Sequence, residues 1–273
     1  MVAHVSVLAS AVALLLPGFT PVTVGQSGGS LQTGVMPGTE RPGYVYLPPG
    51  FSTRSRYPVV YLLHGMPGSP SEYVGGTALL QWADAEIAAG RVHPFNAVLP
   101  AAGRDSRYNG EWAGPWEAAL VDRVVPWVDA SLPTDATPGG RILAGLSAGG
   151  FGAADIGLRH PGLFGTIEAW GAYFAPLHDG PFDHAPAALL AANDPVLLAR
   201  RERPLLRRLG TRFFLSTGPA HSHWFRPAQT AAFARELTAL GLSVRTLTLA
   251  TARGEWRSQV DAGLAWALAP RGS

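Results

Sequence analysis

The chain has 273 residues, 47% of them hydrophobic, and it contains no cysteine. These values exclude a disulfide-stabilised mini-protein, a disordered chain, a thiolate metal site and a cysteine nucleophile. All 21 basic residues are arginine, and the 19 acidic residues leave a formal net charge of only +2, so we expect no nucleic-acid partner. The arginines between positions 200 and 208 are spaced as on a solvated helix face rather than as a phosphate-binding stripe.

Residues 1–25 form a segment of apolar character ahead of the expected domain. The run from 5 to 16 has the length of the hydrophobic region of a signal peptide and is shorter than the ~20 residues of a membrane-spanning helix. Only His4 precedes it where Lys or Arg is usual, so a misplaced start codon or the end of a longer membrane segment is an alternative. We interpret the segment as an export signal or anchor and expect an exported protein, secreted or held near the membrane. A cytoplasmic location is expected if the segment is not a signal.

Residues 26–40 are predicted to be a linker, because QSGGSLQTG at 26–34 is typical of a flexible joint. From residue 41 to residue 270, apolar strands alternate with amphipathic helices. The predicted strands span 57–63, 95–99, 141–144, 163–170, 212–216 and 243–249, and the predicted helices span 79–89, 116–130, 148–159, 187–209, 227–240 and 256–268. This alternation predicts one α/β domain, with a mostly parallel sheet covered by helices on both faces.

The most specific motif lies between a predicted strand and a predicted helix, where Gly145-Leu-Ser147-Ala-Gly149 matches G-x-S-x-G. Small residues two positions before and after the serine let neighbouring backbone pass a sharp turn that holds the hydroxyl above the sheet. The N–H of Ala148, in the first turn of the helix, points to where a tetrahedral oxyanion would form. The motif predicts a nucleophilic Ser147, and its alternative is an inert glycine-rich turn.

A second motif, His64-Gly-Met-Pro-Gly68, follows the strand predicted at 57–63. An oxyanion hole needs two backbone donors, and beside a serine elbow the second comes from a loop in this position. Met66 is the expected donor, because Pro67 has no N–H. His64 could act as a general base, but we interpret it as part of the loop architecture.

These motifs and their surroundings resemble the putative-esterase family of the α/β-hydrolases, which includes esterase D, the feruloyl esterases and the mycobacterial mycolyltransferases. The resemblance covers about residues 44–268 and rests on YLLHGMPGSPSEY, GEWAGPWEAALVDRVVPWVD, RILAGLSAGGFGAADIGLRHPGLF and FARELTALGL. It implies the α/β-hydrolase fold, a nucleophile at Ser147 and an oxyanion hole formed by the N–H groups of Met66 and Ala148. It also implies that Trp112 lies near the mouth of the pocket.

The chain departs from this family at the two positions that should complete a catalytic triad. In the family an acid follows the strand that corresponds to 212–216, but residues 217–224, TGPAHSHW, contain no Asp or Glu. The catalytic histidine belongs after the last strand, where Gly254 stands. A serine hydroxyl is a poor nucleophile near neutral pH without a base to take its proton, so this difference bears directly on activity.

Two interpretations follow from the missing partners. In the first, the roles are exchanged: His221 or His223 is the base and Glu255 fixes its tautomer, unless Arg253 pairs with Glu255 instead. Geometry rather than chain order defines a triad, so this exchange is chemically possible. In the second, the fold persists as a catalytically silent binding protein for an acyl or glycan ligand. The polar loop 178–184, HDGPFDH, could supply another acid or base, although its Pro and Gly are typical of an ordinary loop.

The sequence therefore predicts a serine-dependent hydrolase of carboxylic esters, or a related acyl transferase, that forms an acyl-enzyme on Ser147. The expected substrate is a small acyl ester or an acylated glycan or lipid. No metal or organic cofactor is implied, because two histidines at i and i+2 without a third ligand do not predict a zinc site.

Overall fold

The computed structural model describes residues 14–103, 112–219, 226–250 and 255–270, and a single sheet of nine strands runs through them. The strands are β1 (Thr20–Val24), β2 (Ser30–Val35), β3 (Pro42–Leu47), β4 (Val59–Leu63), β5 (Asn96–Leu99), β6 (Arg141–Leu146), β7 (Thr166–Trp170), β8 (Arg212–Thr217) and β9 (Ser243–Thr248). Their order across the sheet is β1-β2-β3-β5-β4-β6-β7-β8-β9. All pairings from β5 to β9 are parallel, whereas β1, β2 and β3 extend the sheet in antiparallel fashion. The prediction of a mostly parallel sheet is confirmed.

Helices cover both faces of this sheet. They are α1 (Leu79–Ala88), α2 (Pro115–Ala119), α3 (Val125–Ser131), α4 (Ala148–Arg159), α5 (Ala187–Ala192), α6 (Pro195–Leu209), α7 (Pro227–Ala239) and α8 (Glu255–Leu268). A π-helical turn at Leu120–Val124 joins α2 to α3, so the helix predicted over 116–130 is nearly continuous. Every residue of β4 and β6 is buried, as expected for strands covered on both faces.

The two faces of the central strands contribute to different apolar clusters. Leu143 of β6 packs with residues of α3 and α4, whereas its neighbours Ile142 and Ala144 pack with residues of α1 and α8. Alternating side chains of a strand point to opposite faces, so one short apolar run supplies both cores. The carboxyl ends of β4 and β6 are thereby fixed side by side at one edge of the sheet.

The predicted linker is wrong for residues 30–35, because they form β2 and the folded region begins before residue 41. The glycines of this segment serve a tight turn instead of a flexible joint. The N–H groups of Ser27 and Gly29 donate to the Asp84 carboxylate at 3.2 Å each, and the Tyr46 hydroxyl donates to its other oxygen at 3.1 Å. A Cβ at Gly25 or Gly29 would overlap that carboxylate. Glycine is therefore required by a contact with α1 that is distant in sequence.

Within the part of the chain that the structure describes, no helix combines the length and apolar character needed to cross a membrane. Residues 1–13, which contain most of the apolar run, lie outside that part. The function of residues 1–25 as an export signal stays a prediction.

Candidate active site

Ser147 lies in a sharp turn between β6 and α4. Its backbone adopts φ 52° and ψ −115°, a left-handed conformation that is rare for a residue with a side chain. The Ser147 N–H donates to the carbonyl of Trp170 on the adjacent strand at 2.9 Å, and the Ser147 carbonyl accepts from the N–H of Phe151 at 3.0 Å. These bonds hold the turn between a buried strand and the first turn of a helix. This is the geometry of a nucleophile elbow.

The two glycines of the G-x-S-x-G motif are required by backbone that passes close to them. A Cβ at Gly145 would overlap the carbonyl group of Gly149, and a Cβ at Gly149 would overlap the carbonyl oxygen of Leu63 in β4. The clashing atoms belong to the backbone and cannot rotate away. The spacing in the sequence therefore reflects the close approach of β4, β6 and α4 at this point.

The loop after β4 lies against this elbow. Met66 is half-buried and lines a cavity of about 470 Å³ together with Ser147, Leu146, Pro67 and Trp256. Ala148 is the first residue of α4 and immediately follows the serine. The structure thus brings together Ser147 and the two residues predicted to form the oxyanion hole.

His64 belongs to the architecture of this loop. It is fully buried, its Nδ1 donates to the Gly65 carbonyl at 2.8 Å, and its Nε2 accepts from the Ala102 N–H at 3.1 Å. Burial lowers the pKa of His64 to about 4, so the ring is neutral at physiological pH. Both ring nitrogens have backbone partners, and the alternative of His64 as the general base is not supported.

Trp112 is not at the mouth of the cavity, and this expectation is wrong. Its side chain is 2% exposed and donates its indole N–H to the His64 carbonyl at 3.0 Å. The indole also packs against Gly152 of α4, where a Cβ would overlap it. Trp112 is therefore a buried residue that helps to hold the loop after β4 in place.

Tyr73, which the sequence interpretation gave no role, ties the loop to the elbow. Its fully buried hydroxyl donates to the Leu63 carbonyl at 2.8 Å and accepts from the Leu146 N–H at 3.1 Å. Leu63 and Leu146 are the last residues of β4 and β6. Burial raises the pKa of Tyr73, so the phenol keeps the proton that it donates. One side chain thereby holds together the strand ends from which the two predicted oxyanion donors emerge.

Glu72 is a second residue that the sequence interpretation missed. It begins a π-helical turn at Glu72–Gly76 and lines the cavity beside Ser147. Its carboxylate accepts from the Gly65 N–H at 3.2 Å and from the Ser69 N–H at 3.3 Å. Burial raises its pKa, while these two donors oppose that shift. The tripeptide SEY in the segment that carries the family resemblance was the available signal for both Glu72 and Tyr73.

The side chains proposed to replace the missing triad members fall outside the described structure. His221 and His223 lie in the undescribed range 220–225, and Glu255 begins α8 although its side chain is not described. Residues 217–219, which follow the strand where the family has its acid, are described and carry no carboxylate. β8 and β9 are adjacent and parallel, so the chains that leave them start from the edge of the sheet that also carries Ser147. Trp256, next to Glu255, lines the cavity.

The polar loop 178–184 does not contribute to the described walls of this cavity. Phe182 is its buried anchor and packs edge-on against Phe151 of α4. His184 is highly exposed and lies 3.4 Å from the carboxylate of Asp183. This arrangement fits an ordinary surface loop. Among the described residues no cluster of three or more His, Asp or Glu side chains is arranged to hold a metal ion.

Comparison with known proteins agrees with this geometry. The family model described as Putative esterase matches residues 34–263. An esterase of Mycobacterium tuberculosis strain H37Rv is 32% identical over 143 residues, which cover 50% of this chain and 28% of that protein. An endo-1,4-beta-xylanase/feruloyl esterase of Xylanibacter ruminicola is 36% identical over 137 residues, which cover 46% of this chain and 18% of that protein. The chain thus spans less than a third of the length of these curated relatives.

Solved structures show the same fold. A ferulic acid esterase superposes with a TM-score of 0.71 at 20% identity, covering 92% of this chain and 96% of its own. The nine-stranded, mostly parallel sheet, the strained serine at the end of β6 and the loop after β4 are the features of an α/β-hydrolase. With 230 consecutive positions inside the family match, the chain belongs to the Putative esterase family and has the α/β-hydrolase fold.

Proposed function

We propose that this protein hydrolyses carboxylic esters through an acyl-enzyme on Ser147. The observation that carries the proposal is the strained elbow at Ser147, which opens onto a cavity of about 470 Å³ beside the loop of Met66. A strained backbone persists only where the surrounding structure holds it in place. Here the close backbone contacts at Gly145 and Gly149 do so. Membership of a family of esterases points to the same reaction.

The reaction would proceed in two steps. A base takes the proton of the Ser147 hydroxyl while its oxygen attacks the ester carbonyl carbon, and the oxyanion accepts hydrogen bonds from the N–H groups of Met66 and Ala148. The carbon–oxygen bond to the alcohol then breaks, and the alcohol leaves with the proton that the base returns. The same base then takes a proton from water, whose oxygen attacks the acyl carbon; the bond to the Ser147 oxygen breaks, the base returns the proton to that oxygen, and the acid is released. A sugar hydroxyl in place of water would make the protein an acyl transferase.

The base is proposed to be His221 or His223, with Glu255 fixing its tautomer. Two facts support this exchange of roles. The chains that carry these residues leave the sheet at the edge where Ser147 lies, and residue 256 already reaches the cavity. His64 is excluded as base by its two backbone partners.

The substrate is proposed to be a small acyl ester or an acylated glycan or lipid. Leu146, Pro67 and Trp256 give the cavity apolar walls, which suit an acyl group. The relative named as a feruloyl esterase makes esters of aromatic acids the first class to test. If residues 1–25 act as an export signal, the enzyme would meet its esters outside the cytoplasm.

A catalytically silent binding protein is the second candidate, and two observations favour it. Residues 217–219 lack an acid, and Gly254 occupies the position of the family histidine. The two candidates differ in whether Ser147 turns over substrate.

A series of single variants tests the proposal with p-nitrophenyl acetate and methyl ferulate. We expect Ser147→Ala to lower kcat/KM by at least ~10³-fold, and His221→Ala or His223→Ala to bring it near the same floor, because the oxyanion hole alone leaves some catalysis. His93→Ala, an exposed histidine before β5, is the matched control and should leave the rate unchanged. Full activity in both His221→Ala and His223→Ala would exclude the exchanged triad. Full activity in Ser147→Ala would exclude the acyl-enzyme.

A further inference from the structure

Glu72 connects the two ends of the loop that carries Met66. Its carboxylate accepts from the N–H of Gly65, just before Met66, and from the N–H of Ser69, three residues after it. The chain between these anchors is therefore fixed on both sides by a single side chain. Both Glu72 and the loop line the cavity at Ser147.

The loop is built around this carboxylate. A Cβ at Gly68 would overlap a Glu72 carboxylate oxygen, so the absence of a side chain there makes room for it. A Cβ placed at Gly65 would lie 3.6 Å from the Ser147 Cβ and 3.7 Å from a Glu72 carboxylate oxygen. The nucleophile, the loop and the carboxylate thus meet at one point.

We propose that Glu72 is a positioning residue that holds the Met66 N–H in place for the oxyanion of the ester reaction. This inference rests on the proposed function, since it needs an oxyanion to form at Ser147. Oxyanion donors act only within about 2.7–3.1 Å of the charged oxygen, and a displacement of about 1 Å costs a large part of the rate. A carboxylate is suited to this role because both of its oxygens accept, one for each backbone N–H.

Glu72→Gln tests the role with almost no change of volume. The amide keeps one acceptor oxygen and places an NH₂ group opposite the second backbone N–H, so one of the two anchors is lost. Misplacement of an oxyanion donor weakens the transition state more than the bound substrate. We expect kcat to fall about 10- to 100-fold while KM stays within about 3-fold. Phosphonylation of Ser147 by a fluorophosphonate, which uses the same donors, should slow in parallel.

Glu86→Gln is the matched control, because Glu86 lies on α1 in an exposed ion pair with Arg91. It should leave kcat, KM and the phosphonylation rate unchanged. Glu72→Asp is a second variant for the case in which Glu72→Gln does not fold. It keeps two acceptor oxygens on a stem one methylene shorter, and a loss in kcat of about 3- to 10-fold is expected. Each rate is divided by the fraction of folded protein, which is obtained from the thermal unfolding of that variant.

The outcomes separate this role from the proposed function. Unchanged kcat in folded Glu72→Gln and Glu72→Asp, with an active parent, would overturn the role of Glu72 alone. A rise in KM with constant kcat would also overturn it, because it would place Glu72 in substrate binding. A parent protein without hydrolysis or phosphonylation would overturn both proposals together.

Discussion

At the scale of single residues, the backbone of Ser147 determines what the site can do. A non-glycine residue with a left-handed backbone lowers the stability of the fold by about 1–3 kcal/mol. It persists only where the surrounding contacts hold it in that conformation. Here the N–H of Ser147 is bound by Trp170, and the glycines on either side allow β4 and α4 to approach. The hydroxyl is therefore presented to the cavity by packing that extends well beyond the motif itself.

Gly149→Ala should test this packing. The added Cβ would overlap the carbonyl oxygen of Leu63, which belongs to a central strand and cannot move without displacing β4. We expect a loss in the free energy of unfolding of about 2 kcal/mol or more, measured by urea denaturation, together with loss of esterase activity. Gly75→Ala is the control, because no atom lies within 4 Å of a Cβ there. Equal stability of the two variants would show that the close contact between Gly149 and Leu63 is not required.

The placement of Ser147, Met66 and Ala148 at one site could be predicted from the sequence, because the elbow and the loop are local patterns with a strict steric reason; their catalytic roles stay predictions. The sequence was not sufficient for Glu72 and Tyr73. Their roles depend on a π-helical turn that brings them back to the ends of two strands, and the tripeptide SEY does not by itself show that the chain folds back in this way. The expectation for Trp112 failed for a similar reason, because burial behind His64 is a tertiary contact.

At the scale of elements, the packing of α8 on β7 buries a carboxyl group. Glu168 is fully buried, and its carboxylate accepts from the Trp170 indole N–H at 3.0 Å. Gly263 of α8 lies so close that a Cβ would overlap both groups. Burial raises the pKa of Glu168 to about 8, against the smaller opposing effects of Trp170 and Arg212. α8, whose Trp256 lines the cavity, thus packs on the Glu168 carboxyl group, which is neutral below about pH 8.

The stability of the protein should depend on pH because of this group. Its pKa is higher in the folded chain than in the unfolded chain, so the folded state binds more protons between about pH 5 and pH 8. The free energy of unfolding should therefore fall as the pH rises through this window, by up to ~1.4 kcal/mol per pH unit. Glu168→Gln stays neutral and should reduce this dependence in urea titrations at pH 5 and pH 8, leaving the contribution of Asp261, whose pKa burial raises to about 6. Parallel curves for the parent and this variant would exclude the assignment, and Glu236→Gln, in a surface ion pair with Arg200, serves as the control.

The strands and helices after residue 57 were largely predictable, because buried parallel strands are continuous apolar runs. β1, β2 and β3 were not predicted. Gly, Thr or Pro interrupts each of these short strands and β1 is exposed throughout, so their apolar runs are short; only β3 pairs with a strand that is distant in sequence, β5. The turn around Asp84 shows the same limit, since glycines that indicate flexibility in a sequence are here required by packing.

At the scale of the whole molecule, the parallel sheet gathers the ends of β4, β6, β7, β8 and β9 at one edge. Ligands of open α/β sheets bind at this carboxyl edge, and the cavity at Ser147 lies there. The segments that contain His221, His223 and Glu255 follow β8 and β9 and start from the same edge. The fold therefore places these segments where a base could reach Ser147, but it does not specify which side chain is the base. The exchanged triad stays a prediction.

Intact-mass labelling of the folded protein with a fluorophosphonate shows whether Ser147 is an activated nucleophile. We expect rapid addition of one phosphonyl group to the parent protein and none to Ser147→Ala. A well-folded parent protein that stays unmodified would show that Ser147 is not activated, and would indicate a binding protein on an esterase fold.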